Sequence, residues 1–173
     1  MNTTTMKTWQ EFIEFAIPEK SEREDFRGWV KNALLGIKNE KMLILYGEGP
    51  TGKTTTINVL YKIIENSIIV DGVDKRTLSY IYDKSVVFVD GGGSTGYIEA
   101  MHAGEQLPVC LPYVTTFYPS TWPDIIFVTN ELLTGMRRRG LVINMPNRPD
   151  EMDAHLIEKL CEDLESVRNW FLE

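Results

Sequence analysis

The residues with the clearest chemistry lie in GEGPTGKT, Gly47 to Thr54, directly after the apolar run Met42-Leu43-Ile44-Leu45-Tyr46. The segment fits G-x-x-x-x-G-K-[ST], a phosphate-binding loop, with the flanks that pattern needs: an apolar strand before it and a helix opening at the lysine. Gly47, Gly49 and Gly52 allow backbone angles and close approach that a Cβ would forbid, so successive N–H groups can curl round an anion. Pro50, Thr51 and Thr55 complete the loop and the helix start, where unpaired donors and the positive dipole end add attraction. Lys53 is placed to reach β- and γ-phosphates, and the Thr54 hydroxyl to take one position on Mg²⁺. The bland alternative is a chance glycine-rich turn. The strand and helix around it favour ATP with Mg²⁺ as the ligand.

Two further positions sit where apolar strands are expected to finish, and a third group stands just before one begins. Asp90 closes Val86-Val87-Phe88-Val89 and can hold Mg²⁺ opposite Thr54, although an Asp opening a turn before Gly91 is also common. Asn130 closes Ile125-Ile126-Phe127-Val128-Thr129, where an amide that donates and accepts can align an attacking water; a helix cap is its ordinary alternative. Arg137-Arg138-Arg139 precedes the strand Leu141 to Met145, and a guanidinium delivered to a γ-phosphate stabilises charge that develops during transfer. A solvated basic turn is the other explanation for that cluster.

The elements that must position these groups follow from periodicity and caps. Thr8-Trp9-Gln10-Glu11 fits a capping box opening a helix that stops by Pro18, and Ser21-Glu22-Arg23-Glu24 fits a second. The second helix carries Phe26, Trp29, Val30, Ala33, Leu34 and Ile37 at helical spacing. After the loop come a helix to about Glu65, a strand at Ile68–Val70, a helical piece around Arg76 to Tyr82 and the Asp90 strand. A short helix near Tyr97 to Ala103 follows, then LPVCLPYVTTFY (107–118), which reads as a hairpin or irregular strand pair. Asp150 caps a final helix with Leu156, Ile157, Leu160, Leu164, Val167 and Phe171 on one side. Alternation of this kind gives an α/β fold, a parallel sheet with helices on both faces and ligands beyond the carboxyl ends of the strands. The expected division is a helical segment over 1–40, an ATPase core over 41–149 and a C-terminal helix over 150–173.

Bulk properties narrow the partners. The 173 residues carry a formal net charge of −7, so no global basic field draws in a polyanion and any nucleic-acid contact must be local or built by assembly. Cys110 and Cys161 make no disulfide framework and read as small buried hydrophobes; His102 and His155 lack metal-site spacing. With no signal peptide pattern and no apolar run near the ~20 residues of a membrane span, a soluble intracellular protein without membrane contact is expected.

The ordered set GEGPTGKT, VVFVD, IIFVTN and RRRGLVINMP resembles the superfamily-3 helicases of small DNA viruses, and more loosely the picornavirus-type ATPases, over residues 42–146. The resemblance implies an AAA+-like P-loop NTPase with a five-stranded sheet of order 5-1-4-3-2. It implies homo-oligomeric, hexameric rings with ATP between subunits and an arginine finger from the neighbour: Arg139 by alignment, with Arg138 in reserve. The N-terminal helices would match the oligomerisation bundle preceding this module. DNA is the nucleic acid it suggests, RNA the other choice, in the nucleus or cytoplasm of a host cell.

Three departures accompany the resemblance. The family's second acidic residue, often the base that activates water, is here Gly91, which leaves Glu99 as a distant substitute. The hairpin lysine that touches nucleic acid is missing, and Tyr113 lies near its place; Tyr113, Phe117 and Tyr118 can stack on bases but more readily pack a core. The chain is also an ATPase module without an origin-binding or nicking part. An ATP-driven helicase or translocase is the leading expectation. An ATPase that assembles or remodels protein suits the negative charge, and a small-molecule kinase with an acceptor pocket near Asp71 comes last.

Overall fold

The structure, a computed structural model, describes residue 6 and residues 8–91, 95–131, 138–151 and 153–173. Five strands form one parallel sheet: β1 (Met42–Tyr46), β2 (Ser67–Val70), β3 (Val86–Asp90), β4 (Asp124–Thr129) and β5 (Gly140–Asn144). Their order is β2-β3-β4-β1-β5, the order the resemblance implies when read from the other edge. The strands are nearly continuous apolar runs because both faces are covered. Leu43, Leu45, Phe88, Ile126, Val128 and Ile143 enter one core, and Met42, Ile44, Val87, Val89, Ile125 and Phe127 enter the other.

The first core lies under α1 (Trp9–Ala16), α2 (Lys20–Leu34), α3 (Lys53–Ile63), α6 (Leu156–Leu160) and α7 (Leu164–Leu172). The second is closed by α4 (Leu78–Ile81), α5 (Thr95–His102) and the buried Val109 and Trp122. The small N-terminal helical subdomain therefore shares its apolar side with the sheet: Phe12, Ile13, Phe26 and Val30 are buried in the same cluster as Leu43 and Phe171. The capping box at Thr8 forms, its hydroxyl accepting from the Glu11 N–H at 3.2 Å and its own N–H donating to the Glu11 carboxylate at 3.2 Å.

Several local expectations are corrected. Ser21 does not cap α2, which opens two residues earlier, behind Glu19; Arg23 bridges this turn, donating to the Ile17 and Pro18 carbonyls at 2.6 and 2.8 Å. Ile37, counted on the stripe of α2, lies beyond the end of the helix and is exposed. The C-terminal helix is two helices, because Asp163 caps α7 afresh by accepting from the Ser166 N–H at 2.9 Å. Cys110 is exposed and only Cys161 packs against the core, where burial pushes its thiol pKa up. Among the aromatics between α5 and β4, Phe117 packs on the second core, but Tyr113 and Tyr118 are exposed, so the core assignment fails for both. That segment closes through one antiparallel bridge, Val109 to Phe117, rather than an extended ladder. No described helix is long and apolar enough to cross a membrane.

Candidate nucleotide-binding site

Register brings the expected residues to one place. Tyr46 pairs with Thr129, and Asp90 with Val128, so β1, β4 and β3 finish at nearly the same level. The phosphate loop, Asn130 and Asp90 emerge side by side there, with the β4 end between the other two. They open onto a cavity of about 590 Å³ lined by residues 49–55, Asp90, Gly91, Thr129, Asn130 and Glu131. That volume suits a bound small molecule.

The loop is held by its own chemistry. Gly52 caps α3 in the left-handed region at φ +91°, and a Cβ there would also lie 2.9 Å from the Phe12 ring, so the position needs glycine twice over. Lys53 is buried, and its ammonium donates to the carbonyls of Gly47 and Gly49 (3.0 Å for Gly49) and to the Thr51 hydroxyl at 3.2 Å. Burial lowers its pKa from the ordinary lysine value; the Asp90 carboxylate opposes that shift and the Arg148 guanidinium adds to it. A bound phosphate group would supply the negative charge this desolvated cation lacks. The Thr54 hydroxyl donates to the Asp90 carboxylate at 3.2 Å. Hydroxyl and carboxylate are thus adjacent, as a Mg²⁺ site completed by phosphate oxygens and water requires. Among the described residues no cluster of three or more His, Cys, Asp or Glu could hold a metal on its own, so such an ion would depend on Thr54, Asp90 and the nucleotide.

The apolar part of the cavity lining was not legible in the motif. Phe12, Phe15, Pro149 and Leu156 line it, with Asp153 among them. Asn147 donates to the Phe15 carbonyl at 2.7 Å, and Arg148 donates to the Glu48 carbonyl at 2.8 Å, tying the chain after β5 to both α1 and the loop. A flat apolar slot beside a phosphate cradle fits a nucleobase. In the sequence Phe12 and Phe15 are simply two aromatics on the helix that the Thr8 capping box opens.

Arg139 lies elsewhere. It directly precedes β5, whose Gly140 pairs with Met42 at the start of β1, so it sits at the opposite end of the sheet from its own phosphate loop. The separation is the length of β1, roughly 16 Å at a strand's rise per residue. Its guanidinium bonds the Glu99 carboxylate of α5 at 3.1 Å. Glu99 is therefore not at the cavity and does not stand in for the missing acid. Arg138 is exposed, and Arg137 lies outside the described residues.

Solved structures share this fold. The C-terminal region of NrS-1 superposes with a TM-score of 0.76 at 15% identity, over 94% of this chain and 44% of that one. A JCV helicase bound to a thiazolopyridine acetamide superposes with a TM-score of 0.52 at 14% identity, over 93% of this chain and 49% of that one. The chain shares the fold of these two structures. The architecture implied by the superfamily-3 resemblance is the one found, and the chain spans less than half the length of either structure. No protein-family model and no curated protein sequence matches the chain.

On this fold the Gly91 departure gains a cause. A Cβ at Gly91 would lie 1.9 Å from the Asp71 carbonyl oxygen, so the backbone after β3 packs directly on the backbone after β2. No side chain fits there, acidic or otherwise.

Proposed function

We propose that the chain is the ATPase module of a superfamily-3-like helicase or translocase of a viral replication protein, hydrolysing ATP with Mg²⁺ between subunits of a ring to move on nucleic acid. The observation that carries this is the single cavity gathering Lys53, Thr54, Asp90 and Asn130 at the carboxyl ends of three adjacent strands. In this reading the loop N–H groups and Lys53 bind the phosphates, Thr54 and Asp90 hold the metal, and Asn130 orients the attacking water. Phe12, Phe15, Pro149 and Leu156 enclose the adenine. Arg139 completes a neighbour's site as a trans finger, with Arg138 as its reserve; its distance from its own loop supports action across an interface.

Nucleic acid, DNA before RNA, is assigned to the segment between α5 and β4. Tyr113 stands fully exposed there with φ +62°, a costly conformation for a bulky residue that recurs where function demands it. An aromatic without a lysine grips bases by stacking more than by phosphate contact, which suits a chain of net charge −7. The same charge favours the alternative, a ring that remodels protein. The deciding experiment measures ATP hydrolysis with and without single-stranded DNA or RNA, alongside sedimentation with a non-hydrolysable analogue. Stimulated turnover by a hexamer is expected, with Tyr113→Ala weakening strand binding by about 1–3 kcal/mol. Turnover indifferent to nucleic acid supports the remodelling alternative.

A further inference from the structure

The water that attacks a γ-phosphate loses a proton, and a nearby carboxylate is one group that can take it; the position directly after Asp90 cannot carry one, because Gly91 is pressed against the Asp71 carbonyl. None of the residues outside the described set is acidic, so every carboxylate of the chain can be placed. Three line the cavity: Asp90, Glu131 and Asp153. Asp90 is bonded to Thr54 and belongs to the metal. Asp153 is bound to the Lys159 ammonium at 2.5 Å, three residues before Leu156 of the apolar slot.

Glu131 differs from both. It follows Asn130 beyond β4, between the phosphate loop and Asp90. Its backbone is clamped by one side chain: the Thr129 hydroxyl donates to the Glu131 carbonyl at 2.7 Å and accepts from its N–H at 3.1 Å. The tight turn fixes Asn130 and Glu131 together and leaves the exposed Glu131 carboxylate outside every described ion pair.

Resting on the ATPase reading above, we propose that Glu131 is the general base of hydrolysis, replacing the acid that Gly91 excludes. Its carboxylate takes one proton from a water oriented by Asn130. The water oxygen forms the new bond to the γ-phosphorus, and the bond from that phosphorus to the β–γ bridging oxygen breaks. ADP departs with the electron pair, and the proton passes from Glu131 to the products.

The test compares Glu131→Gln with the parent chain in single-turnover hydrolysis and in equilibrium binding of Mg-ATP, with thermal melting as the check on folding. Turnover is expected to fall about 10²–10³-fold, with the Kd for ATP within about threefold and intact ATP retained on the oligomer. Glu131→Asp is expected to keep a measurable part of the rate, since its shortened carboxylate can still reach through water. Turnover of Glu131→Gln within about threefold of the parent overturns the assignment, as does a loss of binding in place of a loss of rate. If the parent chain binds ATP and never hydrolyses it, the hydrolytic reading itself fails and Glu131 with it. A hydrolysing parent with an equally active Glu131→Gln refutes the base alone.

Discussion

The two ends of the sheet are held by opposite means. At the carboxyl end, the candidate groups are held by backbone groups and hydroxyls: the Lys53 ammonium by loop carbonyls, the Glu131 backbone by the Thr129 hydroxyl, the Asp90 carboxylate by Thr54. At the amino end, charge is held by charge. The buried Asp124 carboxylate pairs with Lys38 at 2.6 Å and accepts from the Asn39 amide at 2.9 Å, and Arg139 pairs with Glu99. An end whose buried ammonium meets only neutral acceptors in its hydrogen bonds is suited to receive an anion. At the other end the Asp124 and Glu99 carboxylates are matched by Lys38 and Arg139, and Arg138 stands exposed beside them. The contrast places the candidate nucleotide cavity and Arg139 at opposite ends of one sheet.

Removing the ammonium from the first end should have the largest effect. Lys53→Ala is expected to abolish turnover and reduce nucleotide affinity below detection, measured by phosphate release and fluorescent-nucleotide titration. Arg139→Ala should come next, cutting turnover by about 10³-fold or more while ATP binding stays near the parent value. Mixing the two inactive variants sharpens the comparison. Lys53→Ala subunits keep their finger and Arg139→Ala subunits keep their loop, so mixed oligomers should regain activity. No recovery on mixing would place the finger's action within one subunit and erase the distinction between the ends.

A smaller effect is expected at Gly91. Gly91→Ala forces a Cβ into the Asp71 carbonyl and should destabilise the fold by about 1–3 kcal/mol, read from urea unfolding midpoints. A neutral result would mean that glycine is not required there. The smallest effect concerns His102 at the amino end. Burial first, then the Lys38 and Arg139 charges, hold its pKa below the ordinary 6.5, while Asp124 and a hydrogen bond to the Arg139 backbone oppose them. The unfolded chain takes up this proton more readily, so stability is lost as pH falls below about 6.5 toward the lowered folded value. His102→Gln should flatten the dependence of Tm on pH in that window. An unchanged slope would show that His102 does not contribute to it.

Much of this was legible because it is local. The loop pattern, the capping box at Thr8 and the apolar strands each depend on residues within one turn or one strand, where periodicity and cap chemistry speak directly. Boundaries failed where a competing local contact won: Arg23 over the Ser21 cap, and Asp163 restarting a helix that periodicity runs straight through. Tyr113 failed for another reason. An aromatic between prolines reads as core on hydrophobicity alone, while its exposure follows from where the chain turns.

What the sequence by itself determined was the anion cradle at Gly47 to Thr54, the acid and amide that finish two apolar strands, and the alternation that makes the sheet parallel. These are encoded in contiguous residues whose backbone and side-chain preferences act before any long-range contact forms. The tertiary structure alone decided the rest: the apolar lining where α1 meets Pro149 and Leu156, the exclusion of any side chain at Gly91, the place of Glu131 on the same cavity as the phosphate loop, and the stationing of Arg139 at the far end. Each joins segments distant in the chain through the register of a five-stranded sheet, and register is set by packing both faces at once rather than by any single stretch of residues.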